Sequence, residues 1–518
     1  MLESSSKRDK HWGGRTLRFS LSSFRFGQNF SLRRFSITEA ALLLIMAYIT
    51  SKGLGVIRQS IFNALFGTGP DASAYYAAFR LPDTLFNLIA GGALSQAFIP
   101  VFLSYEKEHG SKEVWRLTSL VFNLLLVVLT ALVLIAELFA PAFVSHLLVP
   151  GFSPSKQALT ITLTRIMLMH PLILGLGTIA TAVLNGKRQF LLPAVSIAIY
   201  DFGLIGGLLF SLAIPGIGIY GPTFGLLASA VCQVAVQIPG LLKQGAHYTF
   251  IWDIKHPGLR EVMRLLGPNV LAIGIASTGT IIDTAFASFL SDTSSIAAMQ
   301  NAYMIFTLPL TLIALAIGQS LLPQITTQAT YGRYVRMGQT ILKVVGGSVL
   351  LSIPASVALF LLGKPAIHIL FEHGAFTRHS SNLTNMVLLG YAIGLPGLTA
   401  GALLVLSFYA LKDAQTPLLT NIVALAARIS LIVLLLKLLA GTYTILAIPL
   451  AMGIAGTVEA VLLCLILLIR LRAKVKADKG MQRLHQRRLH ARNQIRQTKP
   501  LVSLIEEPRE EESEGVAT

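Results

Sequence analysis

Lys52 and Arg58 stand in the stretch SKGLGVIRQS, residues 51–60, inside an apolar run that starts at Ala40 and continues past Phe62. A cation near the centre of a bilayer costs roughly 3 kcal/mol or more, so such a residue turns toward protein or water and marks a functional path. On a helix these two side chains sit about 9 Å apart along the axis and roughly 120° apart around it, so both can border one cavity. Arg offers phosphate a two-pronged fork and Lys a point charge, which suits the pair to phosphate or pyrophosphate. Gly53 and Gly55 weaken the helix between them and leave room for a ligand or a second backbone. The competing outcome is internal pairing with Asp83, Asp201 or Asp283, as structural ion pairs or as a proton or sodium relay. Arg80, Glu137, Arg165, Arg428 and Glu459 are further ionisable residues in apolar runs, and the arginines lie close enough to span ends for snorkelling to the interface.

Other chemistry is not assembled. Cys232 and Cys464 both fall in apolar runs and read as small buried hydrophobes rather than a disulfide or metal set. GIGIYG, residues 216–221, fits a dinucleotide fingerprint but is a turn between two apolar runs with no strand before it. His368, Glu372 and His373 have metal-ligand types, yet an outer amphipathic segment in the interface explains them better. With no nucleophile, base and orienting acid at a recognisable spacing, the expectation is transport without an enzyme activity, cofactor or metal. Energy would come from membrane potential or a coupling ion, H+ or Na+.

The elements that must hold these charges are membrane helices. Of 518 residues, 53% are hydrophobic and 13% charged, with mean hydropathy +0.67, outside the range of soluble domains. Apolar stretches of about 20 residues begin near 40, 74, 117, 158, 190, 219, 264, 295, 340, 382, 417 and 445, which predicts an all-α polytopic protein of about twelve spans. Lys and Arg crowd the segment before the first span and alternate loops, including Lys107, Lys187, Lys255, Arg333 and Lys412. Both termini are therefore expected to be cytoplasmic. LSQAFIPVF, residues 94–102, and GQSLLPQIT, residues 318–326, each close a long span six spans apart, the mark of a parallel repeat. The expected organisation is a basic extension at 1–38, one six-helix lobe at 39–245, a second at 246–472, and a tail at 473–518 that is basic and then acidic. The basic part of the tail suits anionic lipid headgroups, and nothing accompanies it that would indicate nucleic acid.

SKGLGVIRQSIFNALFGTG followed by SAYYAAFRLPDTLFNLIAGGALSQAFIPVF resembles the first two helices of the MurJ/MviN family of lipid II flippases. The Leu321–Pro323 triplet, LFEHGAFT at 370–377 and FYALKDAQTP at 408–417 are similar to further family signatures. The resemblance spans the membrane region and implies a MATE-like architecture of two lobes. It also implies a bacterial cytoplasmic-membrane protein of peptidoglycan biosynthesis that turns an undecaprenyl-pyrophosphate-linked precursor across the bilayer by alternating access. By resemblance, Ser51, Lys52 and Arg58 fall at cavity positions that meet pyrophosphate and sugar, with Arg80 beside them. Lys52 replaces a family Arg, while Gln59, Ser73, Phe86, Gly91 and Met304 stand where members often carry charge. Arg165 and Arg428 are possible replacements for the missing cations. Many members also have two further C-terminal helices beyond these twelve.

Pro82, Pro309 and Pro396 lie within spans, where each removes a backbone hydrogen bond and permits bending. Besides lipid II, the sequence leaves open another polyprenyl-linked glycan, an ion-coupled exporter of organic cations, and a scaffold that recruits cell-wall synthesis proteins through its basic tail. Deleting everything after Arg472 separates the last of these. A flippase should retain most of its transport in a vesicle or growth assay, whereas a scaffold loses function.

Overall fold

The computed structural model describes residues 37–89 and 93–498, and the basic extension up to residue 36, Gly91 and the acidic end lie outside them. Every regular element among the described residues is helical. In order, the helices are α1 Ile37–Phe66, α2 Pro70–Ile89, α3 Ala93–Phe143, α4 Pro154–Met167, α5 Met169–Gly186, α6 Leu191–Ala213 and α7 Tyr220–Ala235. They continue with α8 Ile238–Lys243, α9 Pro257–Ser288, α10 Ser295–Thr330, α11 Tyr334–Phe371, α12 Arg378–Ala410, α13 Gln415–Leu438 and α14 Ala447–Thr498. Gly110, at φ 82°, breaks α3, so residues before it extend the second span and residues after it form the third. The third span ends in a π-helical turn, Val144–Leu148.

Among the described residues, nine helical stretches are long and apolar enough to cross a membrane. Outside that set stand α1, α2 and α9, which carry Lys52, Arg58, Arg80, Asp83 and Asp283. The expected count of about twelve thus depends on the same helices that hold the candidate charges. Past Arg472, α14 continues without interruption to Thr498, so the basic part of the expected tail extends a membrane helix.

The repeat is visible in helix boundaries. Aligning Pro100 with Pro323 places 111–148 on 334–371, the limits of α11. It also places the turn at Arg188 beside the turn at Lys412, and both residues adopt φ 59°. Left-handed backbone is unfavourable for a side chain with a Cβ, so its recurrence on a basic residue in corresponding loops is a shared structural device.

Core packing shows how the halves meet. At one end a single apolar cluster draws from both halves, including Phe62, Tyr75 and Leu163 with Phe306, Phe371 and Tyr391. At the other end the core divides. One cluster joins Phe98, Phe102, Leu117 and Val183 to the start of α9 at Leu259 and Val262, and a separate one joins Leu321, Met337, Phe408 and Leu467. Loops carrying Lys187, Lys255, Arg333 and Lys412 adjoin the helix ends of this divided side.

The joined end is also stitched by hydrogen bonds. Gln59 Nε2 donates to Asn301 Oδ1 at 2.9 Å, Asn63 Nδ2 donates to the same oxygen at 2.7 Å, and Gln59 also reaches the Tyr76 hydroxyl. Ser60 Oγ donates to the Leu370 carbonyl at 2.6 Å, and the Ala375 N–H donates to the Ala64 carbonyl at 2.8 Å. Gly67 and Gly374 permit that approach: each has φ 58°, and a Cβ would lie 2.4 Å from the Ala375 oxygen or 2.3 Å from the Ala64 oxygen. The segment at 368–373, expected to be amphipathic, is exposed at His368 and Ile369 and buried at Phe371. The backbone after Phe371 turns inward onto α1, with Phe371 and Phe376 fully buried, because the paired glycines let the two chains touch. His368 Nδ1 lies 3.0 Å from Glu372, and no cluster of metal-ligating residues is found among the described residues.

Beside this seam, His379 Nε2 lies 2.7 Å from Asp292 Oδ2, and the Ser294 N–H donates to Asp292 Oδ1 at 2.8 Å. Partial burial pushes the Asp292 carboxyl up, but the Ser294 and His379 hydrogen bonds outweigh it and hold the group below the usual carboxylate range. Asp292 thus stabilises the fold above the ordinary carboxylate range and loses that contribution as pH falls through its lowered value. Asp292→Asn is expected to unfold earlier than the parent at neutral pH, by less than about 1 kcal/mol for so exposed a pair. Thermal unfolding in detergent across pH should show the gap closing in acid.

Candidate functional site

Between the halves lies a cavity of about 290 Å³ that includes Arg58, Tyr75, Arg80, Asp83, Tyr200 and Gln300 in its lining. A second, of about 150 Å³, is bordered by Arg80, Asp283, Tyr303, Tyr391 and Arg428. Arg80 and Tyr303 line both, so the two form one polar axis across the interface. Side chains from α1, α2, α6, α9, α10, α12 and α13 meet there, which requires both halves to be folded.

The sequence candidates are sorted by this geometry. Arg58 NH1 donates to Asp201 Oδ1 at 2.9 Å, and Ser51 Oγ donates to Asp201 Oδ2 at 2.7 Å. Internal pairing is thus realised for Arg58, with Asp201 on α6 as partner. One guanidinium nitrogen is engaged by that bond, which leaves other donors of the fork available to an anion. Lys52 is exposed and does not line the cavity with Arg58, because the intervening turns of α1 carry it to the open surface. No heavy atom comes within 4 Å of the place where a Gly53 Cβ would stand, while Gly55 faces the Met304 methyl at 4.0 Å. Arg80 NH2 donates to Gln300 Oε1 at 2.9 Å across the interface, while its Nε has no partner. Asp83 lies one turn beyond Arg80 on α2 and borders the same cavity.

Asp283 pairs with Arg428, and both are largely buried. Arg428 therefore does not snorkel, whereas Arg165 remains half exposed at 3.7 Å from Glu137 and stays outside both cavities. Of the two suggested substitute cations, only Arg428 reaches the axis. Asp283 Oδ1 and Arg428 Nε are buried without a hydrogen-bond partner, so the second cavity retains one acceptor and one donor.

The pairs mirror one another across the repeat with their signs exchanged. Arg58 is on α1 and Asp201 on α6, while Asp283 is on the corresponding α9 and Arg428 on the corresponding α13. In the Pro100–Pro323 register each member falls within about one helical turn of its counterpart. Separate inspection of the apolar runs gives the charges but cannot give this pairing.

Residues that stand in place of family charges have neutral partners. Gln59 belongs to the Asn63–Asn301 amide network, Ser73 Oγ donates to the Thr293 carbonyl at 2.8 Å, and Phe86 packs on His170 with ring centroids 6.2 Å apart. The sequence argument gave no site role to Asn301, Gln300 or Lys156, since isolated amides and a lysine in the first turn of a helix give no periodic signal. Lys156 is 8% exposed, donates to the Thr293 carbonyl at 3.1 Å and lies 3.7 Å from the Phe152 ring centre.

Comparison with known proteins bears on the family and the fold. The family model described as lipid II flippase MurJ matches residues 62–489. The chain belongs to the MurJ family. The "Probable lipid II flippase MurJ" of Rhizobium meliloti is 29% identical over 423 residues, covering 80% of this chain and 78% of the relative. The lipid II flippase MurJ of Burkholderia cenocepacia is 28% identical over 387 residues, covering 73% and 74%. A solved lipid II flippase MurJ in an inward closed conformation superposes with TM-score 0.70 at 26% identity, covering 82% of this chain and 87% of that one. An inward-facing MATE multidrug transporter reaches TM-score 0.70 at 12% identity, covering 84% and 99%, and shares the fold. The all-helical architecture expected from the sequence is thus that of the MurJ family.

The Arg58–Asp201 pair is partly buried, with side chains 29% and 7% exposed, so its loss should cost about 1–2 kcal/mol, between surface and fully buried pairs. In a double-mutant cycle, Arg58→Ala and Asp201→Ala should be non-additive by at least about 0.5 kcal/mol. Thermal unfolding of the purified variants in detergent measures this coupling, and additive effects contradict the pair.

Proposed function

We propose that this chain moves lipid II across the bacterial cytoplasmic membrane by alternating access. Residues 39–245 and 246–472 act as the two lobes, and both termini are cytoplasmic. The observation that carries the proposal is the convergence of Arg58, Arg80 and Arg428 on adjoining cavities between the halves of a MurJ-family fold. Arg58 and Arg80, with Ser51 beside them, receive the pyrophosphate, and Lys52 attracts it from the exposed side of α1. Asp83, Asp201 and Asp283 balance the guanidiniums and respond to a coupling ion, H+ or Na+, or to membrane potential.

The present state is unsuited to a loaded headgroup. Its larger polar cavity, about 290 Å³, falls below the roughly 300–1,000 Å³ of ordinary small-ligand sites, while a glycan-peptide headgroup is larger still. Substrate entry therefore needs the halves to separate further at the divided end, whose basic loops put it on the cytoplasmic side. Interfacial hydrogen bonds at the opposite end then break as access alternates. The basic continuation of α14 rests on anionic lipid headgroups and is the contact surface for cell-wall synthesis proteins.

A second substrate, another polyprenyl-pyrophosphate-linked glycan, is favoured by the neutral residues Gln59, Ser73, Phe86 and Met304 at positions often charged in the family. An exporter of organic cations is disfavoured because Asp201 and Asp283 already have arginine partners.

The test is complementation of a bacterium whose own lipid II flippase can be switched off, comparing the parent with Lys52→Ala, Arg58→Ala at matched membrane expression. Growth with the parent and lysis with the double variant are expected. Lysis with both, despite correct insertion, rejects lipid II as substrate.

A further inference from the structure

Away from the central axis, α3, α5, α7, α8 and the chain after α8 enclose an apolar groove of about 530 Å³. Phe122, Ile179, Val183, Val234 and Leu241 supply its walls, and it shares no lining residue with the two polar cavities. We infer that this groove holds one acyl chain of a bilayer phospholipid, with an ester or phosphate oxygen of that lipid at Trp115. The inference is independent of the transported substrate.

The volume lies within the range of ligand sites, and apolar walls with a few polar groups at one end suit an amphiphile. Trp115 lines the groove, is only 6% exposed, and its buried indole N–H has no hydrogen-bond partner. A buried donor normally has an acceptor, so a vacant partner beside an apolar groove points to a ligand oxygen. Ester and phosphate oxygens accept such a bond, whereas hydrocarbon alone cannot.

The chain after α8 places this polar end at headgroup level. It has no regular secondary structure from 246 to 253 and is tied to α3. Asn123 Nδ2 donates to the Ile251 carbonyl at 2.9 Å, the Tyr248 hydroxyl donates to Asn123 Oδ1 at 2.7 Å, and the Thr249 N–H donates to Ser119 Oγ at 3.2 Å. Phe250 and Trp252 are left 82% and 50% exposed. Exposed aromatic side chains of this kind gather at the membrane interface, and α8 ends on Lys243 just before the groove-lining Ala246 and His247. A phospholipid headgroup thus meets Lys243 and His247 while its chain follows the apolar wall. A polyprenyl tail whose headgroup occupied the central cavity would have to originate at residues this groove does not contact.

Trp115 reports its own neighbour. Of the tryptophans Trp12, Trp115 and Trp252, the variant Trp12→Phe, Trp252→Phe retains only Trp115. It would be reconstituted into vesicles of phosphatidylethanolamine and phosphatidylglycerol with or without bromine on the acyl chains. At least a twofold loss of Trp115 emission in brominated vesicles is expected. Ile238→Phe, at a groove-lining position already 45% exposed, should restore most of the emission without disturbing the core. Full emission from Trp115 while a Trp252-only variant is quenched in the same vesicles overturns the inference. So does quenching that persists unchanged in Ile238→Phe. Preferential quenching by a few mole per cent of brominated polyprenyl phosphate in unbrominated phospholipid overturns the assignment to a phospholipid chain.

Discussion

Arginine inside an apolar helix bundle must be answered by a carboxylate or by water, and this constraint organises the centre of the molecule. Arg58 is answered by Asp201 and Arg428 by Asp283, each from a different helix of its own half. Each pair fixes the approach of two helices that hydrophobicity alone would leave free, since lipid is as apolar as the helices' own side chains. Arg80 is different. It reaches across the interface to the neutral Gln300, so the residue shared by both cavities is held by a contact that can break without stranding a second charge.

The exchanged signs of the two pairs have a mechanical consequence. A symmetric repeat with arginine on α1 and α9 would place like charges at matching positions of the opposed halves. Alternating the signs puts a carboxylate on one leading helix and a guanidinium on the other, which lowers repulsion while leaving unpaired guanidinium and carboxylate atoms toward the cavities. An anion that entered these cavities would compete with those carboxylates for the same arginines, and loosening the pairs would supply the differential interaction a conformational change requires.

The joined end has a matching scale. Interhelical hydrogen bonds in membrane proteins average about 0.6 kcal/mol, so the small set linking α1 and α2 to α10 and the loop after α11 contributes a few kcal/mol. Reversing a population from 1:99 to 99:1 takes roughly 5.5 kcal/mol. The side-chain amides at Gln59, Asn63 and Asn301 thus hold this end with an energy of the same order as such a reversal. Charged residues in their place would pay a larger desolvation cost in the closed form.

Composition and the spacing of apolar runs determined that the chain is a helical membrane protein, because a bilayer admits few alternatives for a backbone whose polar groups must be satisfied. The same runs exposed Arg58, Arg80, Asp201 and Asp283, since an ionisable residue in such a segment is conspicuous. The faint match around Pro100 and Pro323 announced a repeat that helix boundaries and the turns at Arg188 and Lys412 display in full. Tertiary structure alone decided which charges meet, because Asp201 and Arg58 are 143 residues apart and helical periodicity carries no record of the partner helix. It separated Lys52 from the cavity, brought Arg428 inward while leaving Arg165 outside, and folded the turn after Phe371 onto α1. Each outcome depends on the rotation of one helix against another, and that rotation is set by packing across the whole bundle.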